Sequence, residues 1–170
     1  MLKLLLPVSN FRQQQQADCL AACAAMVLIY LHIPFDYERI IKTLLTGKIG
    51  TPFHNLDRLA SRGVFVRRSE GNLAIVRKYL EIGLPLITAV YTRDLPHWQT
   101  RSDINDDERQ TDHAVVIVGL ADDDAVIYIN DPDFDQAPQL IPEKAFMLAW
   151  SEHDYYYAAI GLASLDDDID

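Results

Sequence analysis

Disulfides cannot hold this chain together. Its 170 residues include only two cysteines, Cys19 and Cys23, too close in sequence to join distant segments. That scarcity excludes a small disulfide-framed scaffold and favours a reducing compartment. Seven Gly and eight Pro are too few for a collagen-like or low-complexity chain. Positive charge is also short: 15 Lys and Arg stand against 25 Asp and Glu, a net charge of −10. Four acids, Asp166, Asp167, Asp168 and Asp170, fall in the last five residues, and without them the balance is still 15 against 21. Nucleic acid is thereby excluded as a partner, because phosphate neutralisation needs clustered Lys and Arg. No stretch reaches the roughly 20 apolar residues that span a bilayer. The opening MLKLLLPVSN is broken by Pro7 and lacks a small-residue cleavage site, so it does not read as a signal peptide. No Gly-rich phosphate loop is present. These absences lead us to expect a soluble cytoplasmic protein without membrane insertion.

What is present is an ordinary globular composition, 49% hydrophobic and 24% charged. At this length a single domain is expected, over residues 1–165, followed by an acidic tail at 166–170; folding buries roughly 70% of the unfolded surface, so no metal or disulfide is needed. Residues 18–32, DCLAACAAMVLIYLH, are apolar on nearly every side of a helical wheel, which predicts a buried helix with Asp18 as its N-cap. Tyr37–Leu45 reads as a short amphipathic helix. Thr51 and Pro52 open another that runs through Arg62, and Asn72 caps a third that Gly83 ends. The period then changes. Leu84–Tyr91, His113–Leu120, Ala125–Asp131 and Tyr155–Leu162 are strand-like, with a helix at Pro142–Trp150. Helices first and mostly antiparallel strands after predict an α+β domain. The interruption at Thr92–Asp112, long, polar and carrying Trp98, predicts a mobile flap beside the site.

Cys19 stands at the first turn of the predicted buried helix, where unpaired N–H groups and the helix dipole favour negative charge. That is the setting for a nucleophilic thiolate, although a free cysteine can equally be a small core residue. Cys23, one turn further in, reads as core. A nucleophile needs a base, and His113 leads the apolar run HAVVIVG. If the following hairpin is centred on Asp122, His113 lies directly across from Asp131, which would then orient the imidazole. A slip of one residue would bring Asn130 there instead. Gln13, six residues before Cys19, is placed to donate with the Cys19 N–H to a developing oxyanion, unless it is simply part of the solvated run Gln13–Gln16. His32, His54, His97 and His153 read as surface or capping residues.

Taken in order, QQQQADCLAAC, DHAVVIVG and NDP resemble the bacteriocin-processing, double-glycine-leader cysteine peptidases, a papain-like family. Gln13, Asp18, Cys19, Cys23, His113, Gly119, Asp131 and Pro132 fall on the family pattern, and the similarity runs from about Arg12 to Trp150. Lacking a transmembrane segment, the chain resembles the stand-alone members rather than those fused to exporters. The resemblance implies a papain-like fold, a buried N-terminal helix packed on a mostly antiparallel sheet. It also implies cleavage of a peptide or protein substrate, after small residues of a leader peptide, with no metal and no organic cofactor. One departure stands out: Leu20 occupies the position where the family has Gly after the nucleophile.

Two other readings share these residues. An acyl or peptidyl transferase would use the same triad with an acceptor other than water. A non-catalytic peptide-binding module would keep only the cleft. Zinc held by Cys19, Cys23, His113 and Asp131 is disfavoured, because Cys-x3-Cys within one helix is not a usual zinc spacing.

Overall fold

A computed structural model describes residues 3–61 and 63–169 of the chain; Met1, Leu2, Asp170 and Arg62, the expected end of a helix, lie outside the described residues. The elements run β1 (Lys3–Leu5), α1 (Cys19–Tyr30), α2 (Tyr37–Thr43), a 3-10 helix (Phe53–Leu59), β2 (Val64–Glu70), α3 (Leu73–Glu81) and β3 (Leu86–Tyr91). A one-turn helix α4 (Pro96–Gln99) follows, then β4 (Asp112–Ala121), β5 (Val126–Asn130), β6 (Gln139–Pro142), α5 (Glu143–Ser151), β7 (Tyr156–Leu162) and a last 3-10 helix (Ala163–Asp168). No helix among the described residues is long and apolar enough to cross a membrane. The strands form one antiparallel sheet in the order β2-β7-β3-β4-β5-β6. β1 pairs with β4 at Gly119–Ala121, on the edge that β3 leaves open beyond Ile117. This mixed architecture of helices and antiparallel sheet is the α+β class expected from the sequence.

Alternation along β4 divides the core in two. Ala114, Val116 and Val118 face a cluster built on α1 and α2, while Val115 and Ile117 face one built on α3 and α5. From Leu20 through Leu28 every residue of α1 is buried, as its all-round apolar sequence requires. The N-terminus of α1 is thereby pinned against the start of β4. Gly119 marks the crowded point where β1 arrives: a Cβ there would stand 2.6 Å from the Leu4 carbonyl oxygen, so only glycine fits without a shift.

One local expectation is revised, and two short strands were not foreseen. The segment opened by Thr51 and Pro52 is a 3-10 helix ending at Ala60, not an α-helix through Arg62. Its apolar residues Phe53, Leu56 and Leu59 recur every third position, which lines them up on one face only at three residues per turn. β1 and β6, of three and four residues, are too short to leave a sequence pattern. Thr92–Asp112, expected as a mobile flap beside the site, lines a cleft with His113 and carries structure of its own. It contains the 3-10 turns Thr92–Asp94 and Asp107–Arg109 with α4 between them, and Thr92, Leu95 and Trp98 are buried. Its two ends are laced together: Thr92 N donates to Thr111 O at 3.0 Å, Thr111 N to Thr92 Oγ1 at 2.9 Å, and Thr92 Oγ1 to Arg109 O at 2.7 Å. Hydrogen exchange is accordingly expected to be slow at the Thr92, Leu95, Trp98 and Thr111 amides in the free protein. Uniformly fast exchange across Thr92–Asp112 would contradict this anchoring.

Candidate active site

Cys19 opens α1 and is half-buried. Asp18 stands at the N-cap position, but its side chain makes no capping bond. It turns back instead to accept from Gln15 N at 3.2 Å. The first-turn N–H groups of α1 therefore receive no acceptor from Asp18, and the dipole end of a buried helix faces the Cys19 thiol. Cys23 lies one turn further along, fully enclosed; burial first, then the charges of Cys19 and Asp131, pushes its thiol pKa well up. Of the two sulfurs, only that of Cys19 reaches the surface.

His113 is the second residue of β4 and is buried. Its Nε2 lies 2.7 Å from Asp131 Oδ1, and the ring lines the same cleft as Cys19. With Nε2 given to Asp131, Nδ1 is the nitrogen that this carboxylate does not engage. Burial of the ring works against its charge, but the charge and hydrogen bond of Asp131, followed by those of Cys19, outweigh it and push the pKa of His113 up to about 10. The balance favours the charged ring, in which both nitrogens are donors.

Asp131 follows β5 directly and has no exposed surface. Each carboxylate oxygen has two partners. Oδ1 faces His113 Nε2 and accepts from the Asp133 N–H at 3.0 Å; Oδ2 faces His97 Nε2 at 2.7 Å and accepts from Trp98 Nε1 at 2.9 Å. Burial alone would raise this carboxyl. The charge and hydrogen bond of His113, and then those of His97, overcome it and hold Asp131 well below the usual carboxylate range.

The structure brings His113 and Asp131 together by a different register from the one expected. β4 and β5 pair Val116 with Asn130 and Ile117 with Ile129; a bulge between Ile117 and Gly119 then moves the pairing to Gly119 with Tyr128. The hairpin is thus centred near Asp123, not Asp122. Continuing the inner register one step would set Asp131 across from Val115, making His113 its diagonal neighbour, two residues along the same face. A displacement of two residues keeps the side-chain face, and that is why the contact survives. Asn130 points elsewhere, its Nδ2 donating to Val8 O at 2.8 Å.

Gln13 is stitched to the Asp131 loop: its backbone N–H donates to Pro132 O at 2.9 Å, while Asn10 Nδ2 donates to Phe134 O at 2.7 Å nearby. Its side-chain Nε2 donates to Gln15 O at 3.0 Å and Gln16 O at 3.1 Å, and its Oε1 is buried without a partner. The amide therefore lies beside the site, turned toward the loop before Cys19. Clefts open on two sides of His113. One, of about 400 Å³, is walled by Cys19, Leu20, Ile49, Pro52 and Phe53 opposite Asp112, Ala114 and His153. The other, of about 360 Å³, is polar and includes Gln13, Trp98, Arg101 and Asp133 in its walls. Leu20 thus sits in an apolar wall next to the thiol.

Two of the residues around Asp131 were not singled out from the sequence as part of the site. His97, expected at the surface, has a side chain only 10% exposed and faces Asp131. Trp98 packs edge-on against His113, ring centroids 5.0 Å apart, while its indole N–H donates to Asp131. The available signal was Trp98 itself: a large aromatic in a polar segment, two residues after a Pro at a helix start, has to bury somewhere. Of the other histidines, His32 and His54 are exposed, and His153 pairs with Asp112 at 2.9 Å.

Comparison with known proteins adds the following. A family model described as the Peptidase_C39 like family matches residues 5–158. A solved structure of a C39-like peptidase from Bacillus anthracis superposes with a TM-score of 0.71 at 17% identity, over 94% of this chain and 98% of that one. The double-glycine motif protease of an AMS/PCAT transporter, solved in complex with the leader peptide, gives 0.68 at 19% identity, over 94% of each chain. The peptidase domain of Streptococcus ComA, a bifunctional ABC transporter of a quorum-sensing pathway, gives 0.66 at 18%, over 89% of this chain and 96% of that one. No curated protein matches the sequence. At these identities the solved structures speak for the fold, which is that of C39 papain-like peptidase domains.

Proposed function

Because the chain belongs to the Peptidase_C39 like family, we propose that it is a cysteine peptidase in which Cys19, His113 and Asp131 form the catalytic triad. What supports this reading most is a single arrangement: a buried imidazole with Asp131 on Nε2, sharing a cleft with Cys19 at the N-terminus of a buried helix. The Cys19 thiolate attacks the scissile carbonyl carbon. His113 gives its Nδ1 proton to the leaving amine as the C–N bond breaks, leaving a thioester on Cys19. Neutral His113 then takes a proton from water, which attacks the thioester and frees the acid and the thiolate. Asp131 keeps the imidazole oriented throughout. The Cys19 N–H stabilises the tetrahedral oxyanion. Gln13 is the second donor once its amide swings from the carbonyls of Gln15 and Gln16 into the cleft.

The substrate we propose is a peptide or protein segment cut after small residues, as in a leader peptide, with Leu20 and the apolar wall around it shaping which residue lies beside the bond. Two measurements test the assignment. Limiting iodoacetamide near neutral pH is expected to modify Cys19 before Cys23; preferential labelling of Cys23 would remove Cys19 from its role. Mass spectrometry of candidate leader peptides is expected to show cleavage by the wild type and none by Cys19→Ala. Cleavage that survives in Cys19→Ala would refute the mechanism.

A further inference from the structure

We propose that His97 is a positioning residue for this reaction: it loads the second oxygen of Asp131 so that the first stays on His113. The inference rests on reading Cys19, His113 and Asp131 as a triad. A carboxylate can turn about its Cβ–Cγ bond, and a turned carboxylate would tilt or release the imidazole it orients. Here Oδ2 meets two nitrogens that both belong to α4, His97 Nε2 at 2.7 Å and Trp98 Nε1 at 2.9 Å. An ionised carboxylate only accepts, so His97 presents Nε2 as N–H. Its other nitrogen, Nδ1, is buried without a partner.

A side chain that served only to fill space would not need a buried, unpartnered nitrogen, which costs free energy. The charge-assisted bond to Asp131 offsets that cost. The mounting is rigid as well. Pro96 occupies the first helical position, Leu95 before it is wholly buried, and the His97 ring packs on Phe134 with centroids 4.6 Å apart. Trp98 alone would leave Oδ2 on one donor and the carboxylate plane less defined. The segment that links β3 to its sheet neighbour β4 is thereby a fixed clamp on the orienting carboxylate.

The test is the rate at which iodoacetamide alkylates Cys19 in the full chain at about pH 6, where an ordinary thiol is almost wholly protonated and reactivity reports the Cys19–His113 pair. His97→Asn, whose amide stops short of Asp131, is expected to slow alkylation by roughly tenfold, the order of one hydrogen bond to a charged group. His97→Gln, whose amide nitrogen reaches the Nε2 position, is expected to restore most of that rate. A purely space-filling role predicts no such rescue, so equal rates in the two variants would overturn the proposal. Should His97→Asn fail to fold, Trp98→Phe takes its place, because it removes the other side-chain donor to Oδ2 and keeps a ring against His113. Slowed alkylation there supports the clamp, and a wild-type rate overturns it. The triad reading fails separately: a wild-type Cys19 that alkylates no faster than in His113→Ala would remove the triad, and this role with it.

Discussion

Peptide cleavage by His113→Gln is expected to fall by about 10³-fold or more, the loss of a positioned acid and base. Glutamine is the informative replacement. Its amide nitrogen reaches about where the imidazole Nε2 lies, 2.7 Å from Asp131 Oδ1, so the buried carboxylate keeps a donor. His113→Ala would remove the base and also strand a buried anion, at a cost of about 3–5 kcal/mol in stability, so lost activity could reflect lost fold. Glutamine separates the two effects because it cannot accept the thiol proton or return it to the leaving amine. Circular dichroism and thermal denaturation should show His113→Gln folded, while cleavage and the low-pH alkylation of Cys19 both collapse. Near-wild-type cleavage by a folded His113→Gln protein would mean that another group performs the proton transfer.

Legibility of the site followed the range of the interactions. The all-apolar run from Cys19 to Tyr30 could only be a buried helix, and its first residue could only be at the dipole end. Asn72 and Gly83 bounded α3 through local bonds: the Asn72 side chain accepts from Ile75 N, and Gly83 takes a positive φ of 83°. The partnership of His113 with Asp131 was reached through a hairpin centre that was wrong by about one residue. An even displacement of the pairing preserves the face, whereas the bulge next to Gly119 left no mark in β4 and β5, and the crowding at Gly119 comes from Leu4 of β1, far away in sequence. His97 and Trp98 were illegible for a related reason. They lie more than thirty residues from Asp131 in sequence, on a helix of four residues, and nothing local says which carboxylate a short polar excursion will reach.

Asp131→Asn is the change for which the structure raises the expected cost most. A carboxylate flanked by one histidine tolerates an amide, because the amide oxygen takes the place of the accepting oxygen. At Asp131 both oxygens are surrounded by donors, and the amide NH2 has to occupy one of the two sides. On the Oδ1 side it meets the Asp133 backbone N–H, and on the Oδ2 side the Trp98 indole N–H; neither can become an acceptor. Destabilisation of about 3–5 kcal/mol is therefore expected in urea denaturation, the range for breaking a buried pair. Residual cleavage should be carried by the folded fraction, in which Cys19 and His113 still pair. The pH dependence gives a second readout with a defined sign. The folded-state pKa of Asp131 lies below its unfolded value near 3.9, so its contribution is present above about pH 4 and is lost as pH falls through the folded value. That of His113 is raised to about 10, so its contribution is complete below the unfolded value near 6.5 and is lost as pH rises through the folded value. The slope that His113 contributes is thus a loss of stability as pH rises toward its folded value of about 10. Asp131→Asn should flatten that slope, because its neutral side chain no longer favours the imidazolium. Asn130→Ala is the matched control: it removes only the bond to Val8 O, should cost about 1 kcal/mol, and should leave both the slope and Cys19 alkylation intact. A stable Asp131→Asn protein with the wild-type slope would show that the four donors do not converge on this carboxylate in solution.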